Sequence, residues 1–117
     1  MNIRHESELD INYIESITYQ AFENHPHHEP GAEPTEHLIV SRLREANALT
    51  LSLVCEEEEQ LIGHIALSPV LIGGSESRWL GLGPVSVAPS HQSKGIGGAL
   101  IREALSQVQN LGFEGVV

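Results

Sequence analysis

The sequence predicts an α/β (α+β) domain whose mixed sheet begins as an antiparallel β-meander and ends in a βαβ crossover. Three observations carry this reading. Leu49, Leu51, Leu53 and Cys55 alternate with Thr50, Ser52 and Val54, the two-residue period of a strand, and a second apolar run at 61–67 follows across four glutamates. Further on, the branched stretch Val85-Ser86-Val87 gives way to a polar turn, then to Gly95, Gly97 and Gly98, then at once to an amphipathic helical pattern. After that helix Gly112 marks a stop and 113–117 opens another strand. Strand, helix and strand in that order make a parallel pair.

The elements follow in order. Residues 2–5 read as a short first strand. Ser7 is placed to cap a helix in which Ile11, Ile14, Ile17, Thr18, Ala21 and Phe22 recur at three- and four-residue intervals. That helix stops near Asn24, because Pro26 disfavours helical geometry in the residue before it. Residues 24–34 form a loop rich in His, Pro and Glu. Thr35 then resembles a cap for a second helix carrying Leu38, Ile39, Arg42, Leu43 and Ala46. Residues 49–55 and 61–67 form a hairpin with Glu56-Glu57-Glu58-Glu59 as its solvated turn. Gly73 and Gly74 mark the next turn, and 79–87 is the third strand of the meander. Gly83-Pro84 interrupts it: proline removes a ladder donor and glycine permits a bulge, so pairing on one side is expected to break there. The last helix, 94–110, is predicted to bury Ile101, Ala104, Leu105, Val108 and Leu111.

Composition narrows the partners. The 117 residues suit one domain, 1–117. Six Lys and Arg against sixteen Asp and Glu give a formal charge of −10, which argues against nucleic acid or an anionic membrane and is compatible with a cationic amine. The single cysteine, Cys55, excludes an internal disulfide and a cysteine metal cluster, and its place in an apolar run reads as a small buried hydrophobe. With no apolar leader and no run of about 20 apolar residues, the expectation is a soluble cytoplasmic protein. His25, His27, His28 and Glu29, with His37 nearby, superficially resemble a metal tract. Their spacing lacks the helical pair that turns two imidazoles to one ion, so no metal is expected.

The glycine turn is the chemical centre of the chain. A helix start leaves backbone N–H groups without intrahelical partners and carries the positive end of the macrodipole, so it suits an anion, and glycine lets the anion approach closely. A nucleotide-triphosphate loop needs lysine after its glycines, whereas Lys94 precedes them; a dinucleotide fingerprint needs a third glycine where Leu100 stands. What does fit is Gln92-Ser93-Lys94-Gly95-Ile96-Gly97, the Q/R-x-x-G-x-G/A signature, placed after a V-x-V-x-P strand end. In these residues the chain resembles the GCN5-related N-acetyltransferases (GNAT). The element order matches along the whole chain, and the specific motif occupies 85–100.

The resemblance implies a GNAT-like sheet with helices on both faces and a splayed parallel pair that opens a wedge for the pantetheine of acetyl-CoA. It implies that Gln92, Ser93, Lys94, Gly95, Ile96, Gly97 and Gly98 form the diphosphate turn, with main-chain N–H groups at positions 93–98, and that the backbone of Val85, Ser86 and Val87 pairs with the pantetheine arm. The function implied is acetyl transfer from acetyl-CoA, as cosubstrate, to a primary amine of a small molecule or protein. No carboxylate lies between Trp79 and Pro89 to serve as base, so the catalytic residue is unassigned, with His64 the candidate because it sits on a core strand and an imidazole titrates near neutrality. Family members continue beyond the equivalent of Val117 and often carry a tyrosine there that protonates the departing thiolate. Tyr13 and Tyr19 cannot take that role by position. The expectation is a domain short at its C-terminus, either a fragment of a longer protein or a natural short form. The alternative reading is a catalytically incomplete acyl-CoA-binding or dimerisation module, with a homodimer forming through the exposed last strand.

Overall fold

A computed structural model of the chain describes residues 1–23 and 33–117. Strands β1 (Asn2–His5), β2 (Leu51–Glu57), β3 (Gln60–Ile72), β4 (Ser75–Val87) and β5 (Gly115–Val116) form one sheet in the order β1-β2-β3-β4-β5. The first three pairings are antiparallel and β4 with β5 is parallel, so the meander and the crossover are both present. Helices α1 (Ile11–Phe22) and α2 (Glu36–Glu45) precede β2, and α3 (Ile96–Asn110) joins β4 to β5.

Both sheet faces are covered, which explains why all five residues from Leu51 to Cys55 are buried rather than every second one. On one face Leu51, Leu53, Cys55, Ile65, Leu67 and Leu80 pack with Ile96, Leu100, Ala104 and Val108 of α3. On the other, Val54 and Ala66 meet Ile14 of α1 and Val40 of α2. Each fully buried Leu or Ile contributes roughly 1.5–3 kcal/mol, so the two layers supply most of the driving force.

The helix stripes differ in detail from the sequence expectation. In α3 the seam runs Ile96, Leu100, Ala104, Val108 in four-residue steps, while Leu105 and Leu111 are 41% and 58% exposed. The helix also begins at Ile96 rather than Lys94, because Ser93 and Gly95 have positive φ (64° and 82°), a geometry no right-handed helix contains. In α2 only Val40 is fully buried, and Leu38 and Ile39 are 40% and 44% exposed. This helix rests chiefly on α1, which already covers the sheet beneath it, so one apolar residue suffices.

The glutamate run is divided. Glu58 and Glu59 form the turn, both with positive φ, whereas Glu56 lies on β2 and accepts from Arg4 Nε at 3.1 Å. Arg4 also grips both oxygens of the nearly buried Asp10 at 2.8 and 3.0 Å. These bonds from the guanidinium hold the Asp10 carboxyl down to about 2. Asp10 in turn accepts from the Ser7 N–H at 2.7 Å, which fixes a one-turn helix at Glu8–Asp10 ahead of α1.

One contact sets the height of α3 above the sheet. A Cβ at Gly63 would stand 3.0 Å from both Ile96 Cγ2 and Leu100 Cδ1, so glycine there lets the first turns of the helix settle onto β3. We expect Gly63→Val to destabilise the fold by about 1–3 kcal/mol through overpacking, measured as the urea midpoint at unchanged m-value.

Candidate active site

The site is built where β4 changes register. Leu82 pairs with Leu67 and Leu80 with Pro69, but Val85 pairs with Ile65 and Val87 with Gly63, so β4 carries one extra residue opposite β3 at Gly83-Pro84. Gly83 takes φ +136° and the Gly83-Pro84 peptide is cis. Upstream of this bulge the even-numbered residues face β5: the Leu82 N–H donates to Val117 O at 3.0 Å and the Val117 N–H to Leu80 O at 2.9 Å. Downstream, the Ala88 N–H donates to Ile62 O at 2.9 Å, so the even-numbered residues now face β3. Because the pattern alternates by two, Ser86 faces β3 as well, and Val85 and Val87 turn their N–H and C=O groups to the side away from it. Among the described residues no strand pairs with them there.

The turn that follows arranges its peptide groups toward the same place. The His91 N–H donates to Ala88 O at 2.8 Å, closing a one-turn helix at Pro89–His91. The Gln92 side chain reaches back so that Nε2 donates to Val87 O at 3.1 Å. Left-handed backbone at Ser93 and Gly95 then curls the chain into α3, a conformation that gathers successive N–H groups into an anion-binding hollow. The first intrahelical bond is Ala99 N–H to Gly95 O, at 3.0 Å. The N–H groups of Ile96, Gly97 and Gly98 therefore have no partner within the helix. A Cβ on Gly97 would lie 3.7 Å from Val87 Cγ2 and 3.9 Å from Val85 Cγ1, which puts the helix start directly against the open strand segment.

The structure thus brings together Val85, Val87, Gln92, Ser93, Gly95, Gly97 and Gly98. Lys94 is exposed beside them, and the Ile96 side chain points into the core. Ser86 is different. It is fully buried and its Oγ donates to Thr18 Oγ1 of α1 at 3.1 Å, so it ties α1 to β4 from behind the open edge. The outward turn of Val85 and Val87, and the bond from Gln92 to Val87, were invisible in the sequence; only Gly83-Pro84 hinted at the first.

His64 has no exposed surface. Its Nε2 lies 2.8 Å from Ser52 Oγ, and that hydroxyl donates to the Glu6 carboxylate, which Arg44 also holds at 2.8 Å. A hydroxyl has one proton. Given to Glu6, it leaves Nε2–H as donor to Ser52 and makes Nδ1 the unprotonated nitrogen. Nδ1 is buried with no hydrogen-bond partner. Burial, the largest influence, pushes the imidazole down to about 4, so the ring is neutral at pH 7. Of the histidine tract, His25, His27, His28 and Glu29 lie outside the described residues, and His37 packs edge-on to Tyr19 at 5.2 Å. Among the described residues no group of three or more His, Cys, Asp or Glu converges on one point, and no helix is long and apolar enough to cross a membrane.

A strand with a register break, a left-handed turn and a glycine-flanked helix start thus meet at one opened sheet edge. The chain belongs to the GNAT acetyltransferase family, whose pattern matches residues 11–117. A GNAT family acetyltransferase from Brucella melitensis, solved in complex with acetyl-CoA, is 50% identical and superimposes with a TM-score of 0.91 over 98% of this chain and 72% of its own. The N-acetyltransferase YhbS of Escherichia coli K12, itself uncharacterised, is 32% identical over 118 residues; the match covers all of this chain and 65% of that protein. The YhbS structure in complex with CoA superimposes with a TM-score of 0.84 at 31% identity. The chain thus spans just under two thirds of the length of YhbS.

The enclosed imidazole has a measurable consequence. As pH falls below about 6.5 an unfolded His64 takes up a proton, whereas the folded one resists until about 4, so the unfolded state gains protons first and stability declines over that interval. We expect His64 to account for a loss of about 3 kcal/mol between pH 7 and pH 4, read as the difference between the unfolding curves of the wild type and His64→Gln at the two pH values.

Proposed function

We propose that the protein is an acetyl-CoA-dependent N-acetyltransferase acting on a primary amine of a small molecule or protein. The observation that carries this reading is the opened edge of β4 lying against the start of α3 over Gly97. The N–H groups of Ile96, Gly97 and Gly98, with those of the Ser93–Gly95 curl, suit the two charges of a diphosphate. Val85 and Val87, turned away from β3, suit the amide groups of a pantetheine arm. The 50% identical Brucella protein binds acetyl-CoA, which supports the same ligand here.

In this mechanism the chain contributes mainly position and polarisation. An amine attacks the thioester carbonyl carbon; the C–N bond forms, the C–S bond breaks, the nitrogen gives up one proton and the departing thiolate takes one up. Because Gln92 occupies the Val87 carbonyl, the Val87 segment offers its N–H to the groove, where it polarises the thioester carbonyl, with Val85 one step behind. His64 is enclosed and neutral, so it does not touch the reacting atoms, and we assign the base to no residue of this chain.

The test is direct. Acetyl-CoA is expected to raise the melting temperature, and Gly97→Glu, which sends a carboxylate from the helix start into the groove, to abolish the increase while leaving the unliganded midpoint within about 0.5–1 kcal/mol of wild type. Equal protection of the variant rejects the assignment. Thiol release with a panel of amines then separates turnover from a domain that only holds the coenzyme.

A further inference from the structure

Arg102 stands one turn beyond Gly98 on α3, and its guanidinium folds back over Gly98 toward the helix start. Its Nη1 lies 3.2 Å from where a Cβ of Gly98 would be, so the glycine supplies the space that the guanidinium uses. That placement is electrostatically unfavourable on its own account. A helix start carries about half a positive charge, and a cation is stabilised at the other end. No carboxylate offsets it: Arg4 pairs with Asp10 and Glu56, and Arg44 with Glu6, but among the described residues neither Arg102 nor Lys94 holds an acidic partner. In a chain of net charge −10, with only six Lys and Arg, two exposed unpaired cations flank the same four-residue turn.

A diphosphate on the peptide N–H groups of positions 93–98 accounts for the turn itself. It does not account for a further cation about 6 Å along the helix, one turn beyond Gly98. Acetyl-CoA carries a second, separate phosphate on the 3′-oxygen of its ribose. Resting on the reading of this site as an acetyl-CoA cradle, we infer that Arg102 recognises that 3′-phosphate, with Lys94 reinforcing the field, and so lets the protein distinguish coenzyme A from its 3′-dephospho form. A guanidinium fits a phosphate by two parallel N–H···O bonds, and a glycine at 98 keeps the approach clear.

Calorimetric titration of the wild type and Arg102→Gln with acetyl-CoA and with 3′-dephospho-acetyl-CoA tests this. The wild type is expected to prefer acetyl-CoA by about tenfold in Kd, a typical effect of a charge-assisted pair, and Arg102→Gln to bring the ratio below about threefold by weakening acetyl-CoA alone. Because Arg102 is exposed, the unliganded variant keeps the wild-type melting temperature, which checks that the fold is intact. Equal weakening of both ligands places the guanidinium on the diphosphate and overturns the inference. An unchanged ratio does so too. Wild-type protein that binds neither ligand overturns the acetyl-CoA reading itself, a different result from either.

Discussion

The single extra residue at Gly83-Pro84 is the constraint on which the site depends. In an uninterrupted strand the same parity faces the same neighbour throughout, and β4 would offer Leu80, Leu82 and Pro84 in one row. Proline has no N–H to give at that row, and the residue before it takes a positive φ, so the register against β3 slips by one. Upstream of the slip the peptide groups of Leu80 and Leu82 are used by β5. Downstream, Val85 and Val87 take over the outward direction. A paired edge and an open edge therefore share one continuous strand.

The open edge meets a helix start because α3 begins where it does. Gly63 lets Ile96 and Leu100 sit close on β3, and Gly97 then brings the helix start within van der Waals range of the Val85 and Val87 side chains. Behind the strand, Thr18 and Ser86 join α1 to the same segment by a buried hydrogen bond. The open segment is thus held from three sides by residues that do not face the groove, and its peptide groups are aimed before any ligand arrives. Such preorganisation is what any site built from backbone groups requires.

Much of this was legible in the sequence, for physical reasons that differ by element. The alternation at 49–55, the glycine turn and the helical periodicities each satisfy local rules, so the order of strands and helices followed directly, although neither Ser7 nor Thr35 caps α1 or α2 through its side chain. Leu105, Leu111, Leu38 and Ile39 did not, because periodicity locates a stripe only to within one helical step and does not say which neighbour already covers the sheet. Glu56 looked like part of a solvated run, and only the long-range approach of Arg4 from β1 shows it to be paired. His64 sat on a core strand as expected, but its surroundings bring together Ser52 of β2, Arg44 of α2 and Glu6 from the link after β1.

The bond from Gln92 to Val87 has a further meaning. An unpaired strand edge with its donors and acceptors both free is a template for another chain, and fibrous association usually starts at such edges. Here the amide of Gln92 satisfies the last outward carbonyl of β4 from within the same molecule. A strand approaching this edge finds the Val87 carbonyl already taken, which limits the ladder it can build there.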